Sequence, residues 1–144
     1  MASKYDPNCL FCKMLQEGFP LKICDLDVSI AVLHRDQYFY GRCLVILKWH
    51  EVELYKLSRD DRLAFFEDMI RVANALEKAF KPDKMNYAVL GNIVPHLHWH
   101  LIPRFKLDPL WGKPIWAEPH EEKKLSKAEY EELADIIRKY IKAN

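Results

Sequence analysis

The chain has 144 residues, half of them hydrophobic, and this length and composition predict one domain with one core. Its 22 basic and 21 acidic side chains leave a net charge of +1, which disfavours nucleic acid and membrane surfaces as partners and leaves a small anionic ligand open. No apolar stretch reaches membrane-spanning length and residues 1–6 lack the apolar run of a secretion signal, so we expect a cytoplasmic protein with reduced thiols.

The four cysteines, Cys9, Cys12, Cys24 and Cys43, all lie in the first third of the chain. In a reducing compartment they are expected to be metal ligands or buried thiols before disulfides. The pair Cys9-x-x-Cys12 fits a redox pair, two buried thiols or half of a tetrahedral zinc site, and its spacing does not separate these readings.

The first half of the chain predicts two strands and a long helix. Apolar runs predict strands over 28–33 and 43–48, which a turn at Gly41 allows to pair. A helix is predicted to follow Ser58, which has an acidic residue three positions on, and to end at Pro82. The helix positions predicted to face the core are Leu63, Phe66, Ile70, Ala73, Leu76 and Phe80.

The second half predicts a strand over 87–90 and another over about 96–102, antiparallel neighbours separated by the turn signal Gly91-Asn92. A second helix is predicted to follow Ser126, again with an acidic residue three positions on. The order of strands and helices predicts an α+β fold with an antiparallel sheet.

The segment 108–119 interleaves three prolines and a glycine with Trp111 and Trp116, so it cannot be a regular helix or a central strand. It is either an ordered tail whose tryptophans cover exposed core, or a cover over a site or a neighbouring subunit. Composition alone favours the first interpretation.

The most informative stretch is the strand that carries His96, His98 and His100. Alternate side chains of a strand share a face, so the three imidazoles are predicted to lie together while Leu97 and Trp99 point to the other side. Three histidines in register are hard to explain as hydrogen-bonding groups alone, because clustered titratable groups disfavour one another's protonation. A metal site and a nucleophilic imidazole that attacks phosphorus both fit, and the residues alone leave these two readings close together.

Residues 96–102 read His-Leu-His-Trp-His-Leu-Ile, which resembles the His-φ-His-φ-His-φ-φ signature of the histidine triad family, where φ is an apolar residue. The resemblance extends outward to Gly91-Asn92, Pro103-Arg104, Lys-Trp-His at 48–50, Cys-Leu-Phe-Cys-Lys at 9–13 and Gly-Phe-Pro at 18–20. It implies an α+β, HIT-like fold: a five-stranded antiparallel sheet with a long central helix and a C-terminal helix. It also implies a triad core over 1–107, an extension over 108–144 packed on the same domain, and a homodimer.

The resemblance further implies a mechanism. His98 attacks the α-phosphorus of a nucleotide and forms a covalent nucleotidyl-histidine, which water then hydrolyses. His100 orients the reacting groups and, if protonated, stabilises charge together with backbone donors near Gly91 and Asn92. A neutral imidazole is a competent nucleophile near pH 7 when its other nitrogen is held by an acceptor, for which we expect a backbone carbonyl. No catalytic metal or other catalytic cofactor is expected.

In the bacterial branch that this chain resembles, two cysteines and two histidines hold a structural zinc ion. The matching positions are Cys9, Cys12, His50 and His96, all of which are present. The resemblance therefore implies a zinc site that ties the N-terminal segment to the triad strand and contributes stability rather than chemistry.

The chain departs from the family pattern at the ribose and phosphate positions. His34 stands where many members have an acidic residue, with Asp36 close by, and both His34 and Arg42 are assigned to substrate binding. Arg42 replaces a histidine, and it either contacts phosphate as a planar donor fork or is an exposed strand-edge arginine.

Two further departures lie before the triad. Asn92 takes the place of a common glutamine, where it either binds phosphate or serves only as a turn residue, and Ile93 replaces a serine or threonine. The third triad histidine is retained as His100, whereas the transferase branch tends to have glutamine, which favours hydrolysis.

The leading hypothesis is a nucleotide hydrolase acting on a dinucleoside polyphosphate or a nucleoside phosphoramidate. A nucleotidyl transferase or phosphorylase of the same fold is an alternative, as is a nucleotide-binding module that has lost useful catalysis. A metalloenzyme that uses all three triad histidines as ligands is the weakest alternative, because the resemblance explains the same residues with fewer assumptions.

Overall fold

Five strands and three helices make up the computed structural model, which describes residues 4–141. They are α1 (Leu10–Glu17), β1 (Lys22–Asp25), β2 (Ser29–Leu33), β3 (Cys43–Leu47), α2 (Arg59–Phe80), β4 (Lys84–Ala88), β5 (His98–Arg104) and α3 (Lys127–Tyr140). The described range leaves out residues 1–3, which belong to the N-terminal segment discussed above, and residues 142–144 of the C-terminal extension. No helix within that range is long and apolar enough to cross a membrane.

The strands form one antiparallel sheet in the order β1-β2-β3-β5-β4, which confirms the predicted α+β fold. β5 lies between β3 and β4, with Ile46 opposite His98 and Leu44 opposite His100. Because paired residues point to the same face of a sheet, the two histidines share a face with these apolar side chains.

Different segments cover the two faces. α2 and α3 pack on one face, around fully buried side chains such as Val45, Phe65 and Ile137. α1 covers part of the opposite face, where Ile46 and Val32 are buried. The histidines of β5 lie on this second face, so α1 and the loop after β5 determine their surroundings.

Both predicted helix starts are confirmed. The Ser58 hydroxyl accepts a hydrogen bond from the amide of Asp61 at the start of α2. Ser126 and Glu129 form a reciprocal capping box at the start of α3. Each serine satisfies an amide that the helix leaves without a partner, a contribution of about 1 kcal/mol.

The predicted core face of α2 is wrong over its first half. Leu63, Phe66 and Ile70 are 53%, 47% and 38% exposed, while Phe65 and Met69 are buried. Both rows have the three- and four-residue spacing of a helix face, so periodicity alone does not decide which row packs against the sheet. An apolar row is therefore left on the surface of α2.

The strand predictions are partly wrong at their ends, and two elements were missed. The strand expected over 87–90 is β4, which starts and ends earlier, and β5 begins at His98 rather than His96. α1 and β1 carried no recognised signal. α1 has eight residues and is capped by the thiol of Cys9, which accepts from the amide of Cys12, and cysteine is not among the usual capping residues.

Candidate active site and metal centre

Two cysteines and two histidines converge from three parts of the chain. Cys9 and Cys12 lie at the start of α1, His50 follows β3, and His96 lies two residues before β5. The Cys9 Sγ is 3.3 Å from His96 Nδ1, and the Cys12 Sγ is 3.5 Å from His50 Nδ1. All four ligand atoms lie within 4.8 Å of one another. Ligands of a tetrahedral zinc ion are separated by about 3.3–3.8 Å, so this cluster has the spacing that a metal ion requires.

The orientation of His96 also suits a metal ligand. Its Nε2 lies 2.8 Å from the carbonyl oxygen of Leu47, and a carbonyl can only accept, so Nε2 carries the hydrogen. The lone pair is then on Nδ1, which faces the two sulfurs. This arrangement, in which a backbone acceptor sets the tautomer of a ligating histidine, is typical of metal sites. Burial raises the pKa of the Cys12 thiol, so its thiolate needs a cation nearby.

His98 is held by the backbone of the neighbouring ligand. Its Nδ1 lies 2.6 Å from the carbonyl oxygen of His96, so Nδ1 carries the hydrogen and Nε2 has the free lone pair. Burial lowers the pKa of His98, which keeps the ring neutral near pH 7. The ring of Phe11 lies at 5.0 Å and 87° to the His98 ring, so α1 packs directly against the imidazole. These features give a buried, neutral imidazole with one unprotonated nitrogen.

The pKa of His100 is lowered as well, which counts against the expectation of a protonated His100. Its ring centroid lies 4.9 Å from that of His98. Burial, followed by the neighbouring His98 and Arg42, lowers the pKa of His100 to about 3. The buried Nδ1 of His100 has no hydrogen-bond partner among residues 4–141. Any charge that His100 stabilises must therefore be met by a neutral N–H group.

The permanent positive charge beside the triad belongs to Arg42. Arg42 is only 6% exposed, so the alternative of an exposed strand-edge arginine is wrong. Burial lowers the pKa of Arg42 to about 10, which leaves it protonated at neutral pH. Its Nε is buried without a partner in the described part of the chain.

His34 lies beside Arg42, since the His34 amide donates to the Arg42 carbonyl at 3.0 Å. The Nδ1 of His34 accepts from the amide of Asp36. Burial and the charge of Arg42 lower the pKa of His34 to about 4. The residue in the ribose position is therefore a neutral imidazole near pH 7, not a carboxylate.

The structure favours the second interpretation of the 108–119 segment, a cover over a site. The ring of Trp116 lies 5.0 Å from that of His100 at 86°, and the guanidinium of Arg42 lies 5.6 Å from the centre of the Trp116 ring. Ile115 beside it is buried against Phe39 and Ile102. Nothing in the sequence distinguished Trp116 from Trp111, because only the packing of the loop selects between them.

Arg104 fixes this loop. Its guanidinium is 1% exposed and donates to the Asp108 carboxylate at 2.6 Å, and also to the Asn86 side chain and the Lys113 and Leu110 carbonyls. One buried side chain therefore binds the loop at three places. This arrangement determines where the chain reaches Ile115 and Trp116.

Asn92 is the predicted substrate-binding residue for which the geometry gives least support. It lies in the exposed loop between β4 and β5, and no hydrogen bond joins its side chain to another described residue. Gly91 has a φ of +82°, a conformation that favours glycine, and Ile93 is almost fully exposed. The geometry of this loop supports a turn.

The triad histidines do not share a metal site. Within residues 4–141, the one group of at least three potential ligands whose donor atoms converge is Cys9, Cys12, His50 and His96. The Nδ1 of His96 faces the sulfurs, whereas the Nδ1 of His98 faces a carbonyl oxygen. This geometry counts against the alternative in which all three histidines hold one ion.

Comparison with known proteins gives a consistent result. Residues 20–107 match the model of the HIT domain. The adenylylsulfatase HINT3 of Arabidopsis thaliana is 29% identical over 77% of this chain, and the chain spans only 59% of that relative's length. The adenosine 5'-monophosphoramidase HNT1 of Candida albicans is 29% identical over 92% of this chain and 93% of its own.

A solved structure agrees with these relatives. The histidine triad protein blr8122 from Bradyrhizobium japonicum superimposes with a TM-score of 0.76 at 30% identity, covering 83% of this chain and 89% of its own. The fold and the sequence signature therefore identify the same group of proteins.

Proposed function

The chain belongs to the HIT domain family, and from this premise we propose that it is a nucleotide hydrolase that cleaves at the α-phosphate through a nucleotidyl-His98 intermediate. The observation that carries the proposal is the 2.6 Å contact between His98 Nδ1 and the His96 carbonyl oxygen. It fixes the tautomer in which Nε2 has a free lone pair. Two relatives named for hydrolytic reactions of adenosine nucleotides support the same reaction class.

The reaction proceeds in two displacements. The Nε2 lone pair of His98 attacks the α-phosphorus, the bond from phosphorus to the leaving group breaks, and its electron pair departs with that group. The ring then carries a positive charge shared with Nδ1, whose hydrogen is held by the His96 carbonyl oxygen. Water attacks the same phosphorus, the P–N bond returns its electrons to His98, and a proton from water is released.

Donors next to His98 assist both steps. The neutral His100 ring, 4.9 Å away, offers an N–H group to a phosphoryl oxygen. Arg42 supplies a fixed positive charge close to His100, and its buried Nε is free to donate. Because these groups are buried, their interaction with a developing negative charge is less screened than it would be in water.

The nucleoside is proposed to occupy an apolar cleft of about 560 Å³ on the same face of the sheet. Phe11, Phe19, Val32 and Leu44 line this cleft, and His34 lies at one side of it. Aromatic and branched side chains of this kind suit a flat base. His34 would meet the ribose with a neutral ring.

We propose a structural zinc ion at Cys9, Cys12, His50 and His96, whose spacing and tautomers fit it. When bound, zinc would hold the start of α1 against His96, two residues before β5. His96 would then be fixed by its side chain while its carbonyl oxygen fixes His98. The ion therefore acts on the position of the nucleophile, with no part in the bond changes.

The test is a substrate panel with wild-type protein and the variant His98→Asn, which keeps a polar side chain of similar reach. Diadenosine polyphosphates, nucleotide sugars and adenosine phosphoramidate are supplied, and products are separated by chromatography. We expect wild-type protein to release mononucleotide, and His98→Asn to lose about 10⁴-fold or more in turnover while its circular dichroism is unchanged.

The intermediate is located by stopping the reaction without acid, digesting the protein and measuring the masses of the peptides. A nucleotidyl adduct on the peptide that contains His98 supports the proposal. Mononucleotide binding with neither turnover nor adduct would instead support the non-catalytic binding module.

Homodimerisation and a cytoplasmic location stay predictions. The exposed row of Leu63, Phe66 and Ile70 on α2 is an apolar surface of the kind that a second copy would bury. Light scattering of wild-type protein and Phe66→Glu tests this by measuring the molar mass in solution. We expect a dimer for wild-type protein and a monomer for Phe66→Glu.

A further inference from the structure

A second cleft, of about 590 Å³, lies beside the apolar one and shares only His34 and Arg35 with it. Its walls include Arg42 and Trp116, of which Trp116 contacts His100. The two clefts meet at His34 and Arg35, and each has one wall against the triad, because Phe11 of the apolar cleft contacts His98 as Trp116 of the second contacts His100. A substrate whose nucleoside fills the apolar cleft has this second cleft available for the group on the other side of the α-phosphorus.

The second cleft carries charges of both signs, and within it Arg42 is the group available to an anion. Three carboxylates line it, and each already has a basic partner: Asp36 with His120 at 2.7 Å, Glu118 with Lys113 at 3.4 Å, and Glu122 with Arg35 at 2.7 Å. Arg42, in contrast, has no ion pair within the described part of the chain. Asp36 raises the pKa of Arg42 through its charge, but no carboxylate of the described residues forms an ion pair with the guanidinium, which leaves its N–H groups available to an anion.

Arg42 is also oriented in advance. Only 6% of Arg42 is exposed, so its guanidinium has lost most of its contact with water without forming an ion pair. Such a group is costly unless an anion completes its bonds. Its guanidinium lies over the ring of Trp116 at 5.6 Å, and Trp116 is held by the loop that Arg104 fixes.

We infer that Arg42 and Trp116 form a leaving-group subsite for a phosphate chain, so that the substrate is a nucleoside or dinucleoside polyphosphate rather than a phosphoramidate. This inference rests on the proposed function. When His98 Nε2 bonds to the α-phosphorus, the P–O bond to the bridging oxygen breaks and its electron pair leaves with the distal phosphate chain. That chain gains one negative charge, which Arg42 meets. A phosphoramidate releases an amine that needs a proton and gains no negative charge, so Arg42 gives it no comparable help.

The test compares kcat/KM for diadenosine tetraphosphate and adenosine 5'-phosphoramidate, which share the adenylyl group and differ in the leaving group. We expect wild-type protein to prefer the tetraphosphate, and Arg42→Gln to lower the ratio of the two values about 100-fold, the loss of charge-assisted hydrogen bonds. Trp116→Leu should lower the ratio about 5-fold through loss of the cation–π contact. Trp111→Leu, in the same loop, is the matched control and should leave the ratio unchanged.

A wild-type preference for the phosphoramidate, or an equal loss on both substrates in Arg42→Gln, would overturn the subsite. Binding of inorganic tripolyphosphate to His98→Asn protein, with and without Arg42→Gln, separates this result from failure of the proposed function. If wild-type protein turns over neither substrate but tripolyphosphate binds about 100-fold more weakly without Arg42, the anion site stands and the hydrolase proposal fails. Equal binding to both proteins overturns the subsite.

Discussion

The two outer histidines of the triad have the same spacing from His98 but opposite surroundings. At the His96 end, Cys9, Cys12 and His50 turn their donor atoms toward one another, and the carbonyl of Leu47 fixes the ring. At the His100 end, the buried Nδ1 of His100 and the buried Nε of Arg42 have no partner within residues 4–141. We call the His96 end, where these four donor groups face one another, the closed end, and the His100 end, where Arg42 and His100 have donors available to a ligand, the open end.

This difference shows that the strand alone does not assign roles to its histidines. The segments packed against it do: α1 brings two cysteines to one end, and the loop after β5 brings Trp116 to the other. His98 lies between them and depends on the closed end, because the His96 carbonyl oxygen holds its Nδ1. In the proposed reaction, the closed end would position His98, and the open end would offer hydrogen-bond donors to the phosphoryl oxygens.

The largest expected effect comes from breaking the closed end. Cys12→Ala removes one of four potential ligands, so we expect bound zinc to fall from one equivalent to none by elemental analysis. With zinc in excess at about 1,000 times its dissociation constant, the loss of binding lowers the free energy of unfolding by about 4 kcal/mol, measured by urea denaturation. Turnover should also fall, because the His96 carbonyl oxygen holds His98, the proposed nucleophile.

Cys24→Ala is the matched control, since Cys24 is a partly buried thiol outside the cluster. It should keep the metal content of the wild-type protein. One equivalent of zinc retained in Cys12→Ala would show that this cluster does not hold the ion.

A somewhat smaller effect is expected from loosening the loop that builds the open end. Arg104→Met leaves Asp108 buried without its cation, which should lower the free energy of unfolding by about 3 kcal/mol. Trp116 should also become more accessible to a fluorescence quencher. Arg35→Met breaks the exposed pair with Glu122 and should cost less than about 1 kcal/mol, so similar losses in the two variants would contradict this account.

The sequence predicted most of the fold where the signals are local. Ser58 and Ser126 cap their helices as expected, and β2 pairs with β3 as expected, because helix caps and apolar runs separated by a turn depend on residues that are close in the chain. The face of α2 was mispredicted from Leu63 to Ile70, because two apolar rows satisfy the same period and only tertiary packing selects one. The core face of α2 is the row that packs against the sheet, which contains Phe65 and Met69.

The candidate site follows the same division. The spacing of the triad and its resemblance to a known family led to His98 as the proposed nucleophile and to four potential metal ligands, which the structure brings together. The burial of Arg42, the neutral state of His100 and the place of Trp116 arise from contacts between distant segments, as does the 5.0 Å contact between Trp116 and His100. No local pattern contains that information.

The smallest expected effect tests the electrostatics of the open end through His34. Its pKa is lowered from 6.5 to about 4 by burial and by Arg42, so the unfolded chain binds a proton at His34 in a pH range where the folded protein does not. Stability from this group is therefore fully present above pH 6.5 and is lost as the pH falls toward 4.

His34→Asn keeps an acceptor for the Asp36 amide but cannot titrate, and the other titrating groups are common to both proteins. Between pH 6.5 and 4, the wild-type free energy of unfolding should fall by about 1–2 kcal/mol more than that of His34→Asn, after allowance for partial exposure. Parallel curves in urea denaturation would mean that burial and the charge of Arg42 together do not lower the pKa of His34 in the folded protein.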